Sequence, residues 1–217
     1  ARALGLPAAA SQVRTFEGEV AIVVERYDRV RVSDTIRRLH QEDMCQALGV
    51  RPQKKYQNQG GPSAKAIAEM IRSHSASPDE DAERFADSLI LNWLIGGTDG
   101  HAKNYSFLHG ENRQVRFAPI YDLASSLPYP RQIHPRTATL AMKIGSEYRL
   151  RRIGKHEWES CARELRIPAR KLLERIMQMA SRIPSAAERT AHRLVQEGIT
   201  HPVIPNLVEG LVSHSRK

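Results

Sequence analysis

Residues 77–122 constrain the fold of this chain more than any other segment. Ser77-Pro78-Asp79-Glu80 has the form of a capping box with proline at the first helical position, in which Ser77 would accept from the Glu80 amide and Glu80 would reach back. Behind it Phe85, Leu89 and Trp93 recur every four residues, with Ala86, Ile90 and Leu94 beside them. One wide face of the predicted helix is therefore apolar and belongs in a core. Gly96-Gly97 stops it. The loop that follows, GTDGHAKNYS at residues 97–106, crowds an acid, an imidazole, an amine and an amide together. A predicted hairpin comes next, 105–108 and 115–118 around His109-Gly110-Glu111-Asn112, and it delivers the chain to Asp122.

A hairpin returns the chain to its starting point, so Asp122 is expected beside Asn104. An acid and an amide oxygen are hard ligands of the kind that hold Mg²⁺. Asp99 is then free to orient a hydroxyl nucleophile. Protein kinases use this order, H-R-D-x-x-x-x-N with a metal-binding Asp after the next hairpin. The spacing of Asp99 and Asn104 is common by itself, since Asp99-Gly100 is an ordinary turn pair and Asn104 an ordinary residue at a strand start. The helix before, the hairpin between and the acid after are what point to phosphoryl transfer. A metal-dependent phosphohydrolase could also use Asp99, His101 and Asp122, but no second carboxylate or histidine cluster stands at ligand spacing.

The rest of the chain reads as α+β, mostly helical, with two β-hairpins. At 217 residues, 41% hydrophobic and 26% charged, it can bury one good core or two small lobes. The first hairpin is expected at 13–16 and 20–24 around Glu17-Gly18-Glu19, after the end of a helix at 1–6. Its apolar signal stops at Glu25-Arg26-Tyr27-Asp28-Arg29, which reads as a connector. Short helices are expected at 41–48 and 63–72, and after residue 153 the pattern is helical, with a break between 168–183 and 184–197 at Pro184 and a last helix after Pro205. There is no run of 18 apolar residues and no basic-then-apolar opening, so neither a membrane span nor a signal peptide is expected. Cys45 and Cys161 are far apart on helical patterns and read as buried reduced thiols, which points to the cytoplasm. The net charge is +9, and residues 149–193 carry twelve basic against five acidic side chains. That stripe is either a footprint for nucleic acid or an acidic partner, or a solvated basic face.

Five strings, HQEDMCQALG (40–49), KYQNQGGP (55–62), NWLIGGTDGHAKNYSF (92–107), APIYDLASSLPYP (118–130) and LAMKIG (140–145), in this order and spacing resemble the HipA family of bacterial serine/threonine kinases. These are toxins of HipBA-type modules, and the resemblance runs from about residue 4 to at least 184. It implies the C-terminal lobe of an atypical, lipid-kinase-like kinase that uses ATP and Mg²⁺ and phosphorylates proteins, an aminoacyl-tRNA synthetase being the best known. It also implies a HipB-like helix-turn-helix antitoxin as partner, with operator DNA reached through the complex. Carried over by motif, Asp99 is the catalytic acid of the loop, and Asn104 and Asp122 are the metal ligands. His101 and Lys103 share that loop and would meet phosphate or the transferring group, Lys103 being equally readable as structural. Residues 24–29, VERYDR, resemble the family's V-E-R-F-D-R hinge, where the backbone at Glu25 and Tyr27 would meet the adenine edge and Asp28 the ribose. Gln41, Glu42 and Asp43 either face the same cleft or form a buried structural network. The family pattern divides the chain into residues 1–30, the end of the upper-lobe strands and hinge, and 31–217, a helical lobe carrying the catalytic loop and the metal-binding Asp. A Gly-rich phosphate loop and a strand Lys are not found ahead of Glu25. The chain is therefore expected to be the C-terminal portion of a longer kinase, binding ATP weakly and transferring phosphate poorly by itself. The alternative is an impaired lobe that serves as an antitoxin- and DNA-binding module.

Overall fold

The structure, a computed structural model, describes residues 1–216; Lys217, the last residue of the expected helical lobe, lies outside them. In chain order the elements are β1 (Ser11–Phe16), β2 (Glu19–Val24), β3 (Arg29–Val32), β4 (Thr35–Arg38), β5 (His40–Asp43), α1 (Met44–Ala47), α2 (Ala64–His74), α3 (Pro78–Leu94), β6 (Ser106–His109), β7 (Val115–Phe117), β8 (Thr139–Ile144), β9 (Glu147–Arg149), α4 (Lys155–Leu165), α5 (Ala169–Gln196) and α6 (Val203–Ser215). The four small sheets, β1-β2, β3-β4, β5-β6-β7 and β8-β9, are all antiparallel. The architecture is thus the α+β, mostly helical one that the patterning predicts, with both expected hairpins present and two further ribbons, β3-β4 and β8-β9, that it does not.

α3 is the axis of the core. Of the predicted stripe Phe85, Ala86, Leu89, Ile90 and Leu94 are buried, with Ala82 beside them, while Trp93 is half-buried. Phe85 meets Tyr105 edge-on at 5.1 Å and Phe117 at 5.9 Å, so the helix is locked to the hairpin that carries the loop. Removing a fully buried ring of this kind costs about 3–5 kcal/mol. Trp93, at the other end, stacks edgewise on Trp158 of α4 at 5.5 Å and donates its indole N–H to the Leu150 carbonyl. α2 presents Ala64, Ile67, Ala68 and Ile71 to the same core, and Ser63 caps it by accepting from the Ala66 amide.

Four local expectations change. Ser77 makes no side-chain cap, and the Ser77 amide expected to meet Glu80 donates instead to Ser75 Oγ at 3.0 Å, which itself donates to Asp81 at 2.6 Å. Glu80 turns instead to Arg116. The helix predicted at 41–48 is shorter: Gln41, Glu42 and Asp43 lie in β5, paired with Leu108, Phe107 and Ser106 of β6. Asp43 then starts α1, accepting from the Cys45 and Gln46 amides while Gln46 reaches back to the Asp43 amide. A strong cap placed mid-pattern divides it. The end of a helix expected at 1–6 is a single 3₁₀ turn, Arg2–Leu4.

α5 runs unbroken through Pro184, where two helices are predicted. Proline removes one helical N–H and crowds the preceding turn. The buried stripe Ile176, Met179, Ile183 and Ala186 continues across it at helical spacing, and packing on one face holds both halves in line. α6 begins at Val203 and has Pro205 inside its first turn, where a missing N–H is harmless. Both cysteines are buried and free. Among the described residues no helix is long and apolar enough to cross a membrane.

β1 and β2 are joined by Glu17 and Gly18, both at positive φ (50° and 89°), the conformation that a two-residue hairpin turn asks for. The ribbon buries little: Phe16, Val20, Ile22 and Val24 are all exposed.

Candidate active site

The loop after α3 is shaped by a buried amide. Asn92 Nδ2 donates to the Ser88 carbonyl at 3.0 Å and to the Tyr105 hydroxyl at 3.2 Å, and the Asn92 carbonyl accepts from the Gly97 amide at 2.7 Å. A Cβ on Gly97 would lie 2.4 Å from Asn92 Oδ1, so only glycine lets the backbone pass. The chain then turns outward to Asp99, whose side chain is 62% exposed, and back inward to His101 and Asn104, both buried.

β6 and β7 close the circuit that the sequence predicts. Asn104 Nδ2 donates to Asp122 Oδ2 at 2.7 Å, and Asn104 Oδ1 accepts from the His101 amide at 3.0 Å. Tyr121 fastens the same junction, its hydroxyl donating to the Lys103 carbonyl at 2.5 Å and sharing a hydrogen bond with Ser106 at 2.6 Å. Asp122 sits at φ 55°. Beyond it, Ser125 donates to the Ile95 carbonyl and Ser126 to the Gly96 carbonyl, which brings the segment back to the end of α3. Asp99, His101, Asn104 and Asp122 are therefore gathered at one place by α3 and the hairpin.

The remaining predicted residues divide. Lys103 points to Asp43 at the start of α1, 3.9 Å away, so the structure supplies it with a carboxylate partner. The Gln41–Asp43 stretch lies beside the site as an edge of the three-stranded sheet, with Gln41 donating to Ser106. Tyr27 reaches the site through Tyr121, ring centroids 6.2 Å apart, and burial pushes its phenol up to about 12. Asp28 is buried but paired: Arg26 holds it through Nε and Nη2 and Arg29 through Nη1, which lowers the carboxyl to about 2. The Glu25 amide donates to the Ala10 carbonyl, extending the β1-β2 ladder. An open groove of about 520 Å³ runs along Leu6–Ala10 past Glu25 and Tyr27, and Asp99, Asn104 and Asp122 are not on its wall.

His101 is unusual in chemistry. Burial lowers its pKa, and the Lys55 charge adds to that, so at neutral pH the ring is uncharged. Its Nδ1 is buried without a hydrogen-bond partner, and its Nε2 stands 4.0 Å from Asp99 Oδ2. As a neutral ring it can donate or accept a hydrogen bond but brings no positive charge to a phosphate.

Two residues of the site carry no signal in the spacing argument. Tyr56 donates to Asp99 Oδ1 at 2.5 Å from a segment 43 residues upstream. Asp81 of α3, fully buried, accepts from Ser75, Arg84, Arg116 and the Phe117 amide, and so ties the helix to β7. Tyr56 lies within one of the strings that carry the family resemblance, which is the only sequence hint of it.

Asp122 and Asn104 carry the oxygen donors a hard divalent cation takes, with Asn104 Nδ2 turned toward Asp122 and Asn104 Oδ1 accepting from the His101 amide. Among the described residues there is no group of three or more His, Cys, Asp or Glu side chains able to hold a metal alone.

The basic stripe at 149–193 is partly neutralised. Arg170 pairs with Glu174, Lys171 with Glu83, Arg175 with Asp87 in a two-pronged bond, and Arg193 with Glu197.

Comparison with known proteins agrees with this architecture. The HipA-like C-terminal domain matches residues 1–187. The Sinorhizobium fredii protein Y4mE, named provisionally as a kinase, is 38% identical over 195 residues, 89% of this chain and 44% of that protein. The serine/threonine-protein kinase toxin HipA of Shewanella oneidensis is 29% identical over 198 residues, 86% of this chain and 45% of the toxin. Among solved structures, the Shewanella oneidensis complex of HipA, HipB and operator DNA superposes with a TM-score of 0.84 at 24% identity, over 99% of this chain and 52% of that one. The Helicobacter pylori proinflammatory kinase CtkA gives 0.61 at 14% identity, over 99% and 78%. The chain spans about half the length of the curated relatives it matches. By the match over most of its length, this chain belongs to the HipA-like C-terminal domain family, and the relatives compared above carry kinase names.

Proposed function

We propose that this chain is the catalytic-loop portion of a serine/threonine protein kinase of the HipA toxin type. It would transfer the γ-phosphate of ATP to a protein hydroxyl, and an aminoacyl-tRNA synthetase or another translation factor is the substrate class the family resemblance suggests. The observation that carries the reading is the Asn104–Asp122 contact at 2.7 Å, with Asp99 exposed at the front of the same loop. Asn104 and Asp122 would hold Mg²⁺, which when bound neutralises charge on the transferring phosphate. Asp99 orients the acceptor hydroxyl and takes its proton. His101, buried and neutral beside it, donates or accepts a hydrogen bond without adding charge. The groove along Glu25 and Tyr27 is the place for the nucleotide base.

The whole-protein context is part of the same proposal. The S. oneidensis structure contains HipA, HipB and operator DNA together, which supports a HipB-like antitoxin and DNA as partners here and the cytoplasm as the compartment. Arg151, Arg182 and Arg189, which take part in none of the ion pairs found among the described residues, are the stripe's candidate phosphate contacts. The test is transfer from γ-labelled ATP by the full-length protein and its Asp99→Asn and Asp122→Asn variants. Both variants should lose activity while keeping their circular-dichroism spectra; wild-type rates in both would end the proposal.

A further inference from the structure

The inference rests on Asp99 as the base, and concerns what aims it. Asp99 lies on an exposed loop, and its own loop does not fix the carboxylate, since His101 Nε2 at 4.0 Å is beyond hydrogen-bond reach. The group that does hold it comes from residues 55–61. Tyr56 donates its hydroxyl to Asp99 Oδ1 at 2.5 Å. Tyr56 is itself immobilised. Its carbonyl accepts from the Gln59 and Gly61 amides, its ring lies edge-on to buried His101 at 5.1 Å, and Lys55 Nζ sits 5.1 Å from the ring centre. The two loops are also tied through backbone, the Ala102 amide donating to the Lys55 carbonyl at 3.2 Å. Gly61 makes the turn possible, because a Cβ there would lie 2.3 Å from the Lys54 carbonyl oxygen and 2.7 Å from that of Tyr56. The bond to Asp99, and then burial, push the phenol up to about 12, so it stays a donor at neutral pH.

We propose that Tyr56 is a positioning residue for phosphoryl transfer: by donating to Asp99 Oδ1 it fixes the carboxylate so that Oδ2 is presented to the hydroxyl of the protein acceptor. In the reaction the acceptor oxygen bonds to the γ-phosphorus as the bond from that phosphorus to the ADP oxygen breaks. The acceptor's proton passes to Asp99 Oδ2, and Tyr56 keeps its own. A freely turning carboxylate would spend much of its time misaligned, which lowers the rate of the chemical step without weakening nucleotide binding.

The test uses the full-length protein with labelled ATP and the best acceptor from a Ser/Thr-containing peptide library, comparing Tyr56→Phe with Asp99→Asn. Tyr56→Phe retains the ring and its packing, so the melting temperature should hold. Its kcat should fall about tenfold, the scale of one hydrogen bond to an ionised group, with KM for ATP unchanged. If Asp99→Asn abolishes transfer and Tyr56→Phe keeps the wild-type kcat, the positioning role is overturned and the kinase reading stands. If Asp99→Asn transfers as fast as wild type, the base assignment falls and the role of Tyr56 falls with it. A second readout does not depend on activity: spectrophotometric titration, with Tyr56→Phe subtracted to isolate this phenol, should show Tyr56 moving down toward its ordinary value of about 10 in Asp99→Asn. An unmoved titration refutes the pairing itself.

Discussion

Replacing Asp81 by Asn should loosen the joint between α3 and the hairpin that carries Asp122. The carboxylate is fully buried and accepts from Ser75 Oγ at 2.6 Å, Arg84 Nη1 at 2.9 Å, Arg116 Nε at 3.0 Å and the Phe117 amide at 2.8 Å. An asparagine of the same size keeps one oxygen for Phe117 but turns an N–H₂ toward donors. Removing one partner from a buried ion pair costs about 3–5 kcal/mol. The side chains of Arg84 and Arg116 are 20% and 38% exposed and can be rehydrated, which places the cost at the lower end, about 3 kcal/mol. For a chain of this size that lowers the melting temperature by about 6–12 °C. The pH dependence has a definite sign. Burial raises the Asp81 pKa, and the bonds from Arg116, Ser75 and the Phe117 amide outweigh it, so the folded value lies below the unfolded one. Its contribution is complete above the unfolded pKa of about 3.9 and disappears as pH falls through the folded value. Thermal melts of wild type and Asp81→Asn followed by circular dichroism should therefore separate at pH 7 and converge in strong acid. Equal melting at pH 7, or a gap that persists in acid, would refute the reasoning.

Two further outcomes follow from single contacts. His101 should titrate below the ordinary histidine value of about 6.5 in an NMR pH series, because burial opposes its charge; the stability it contributes is present above 6.5 and lost as pH falls through the lowered value, and a midpoint above 6.5 would contradict the burial. Gly97→Ala, with its Cβ driven to within 2.4 Å of Asn92 Oδ1, should cost about 1–3 kcal/mol in urea denaturation by displacing a buried hydrogen-bonded amide, and an unchanged midpoint would show that the loop yields freely.

The parts of the site that could be read from sequence are those fixed by short-range geometry. Phe85, Leu89 and Trp93 announce the helix, Gly96-Gly97 its end, and a hairpin necessarily carries Asp122 back to Asn104. What could not be read depends on partners distant in sequence. Gln41–Asp43 look like the start of a helix until β6 is available to pair with them. Pro184 looks like a break until the stripe from Ile176 to Ala186 is seen to continue across it. The β3-β4 ribbon is arginine-rich and its strands are only four residues each, so the alternation of Val30 and Val32 in β3 is too short to stand out and β4 offers Ile36 alone, while its Ser33 turn is visible only in the backbone, at φ 52°. Tyr56 had no local reason to be singled out, because its use lies in Asp99 and not in its neighbours.

The left-handed backbone at Asp122 narrows what evolution can place there. A φ of 55° is readily tolerated by Gly, Asn and Asp and resisted by residues with bulkier or branched side chains. The contact with Asn104 requires an acceptor, which removes glycine. If the site must also carry negative charge, asparagine goes too. One position thus answers to two unrelated filters, one steric and one electrostatic, and aspartate is the single amino acid that passes both. A drifting copy of this gene that had lost its chemistry would be released from the second filter before the first, and Asn at this position would be its earliest mark.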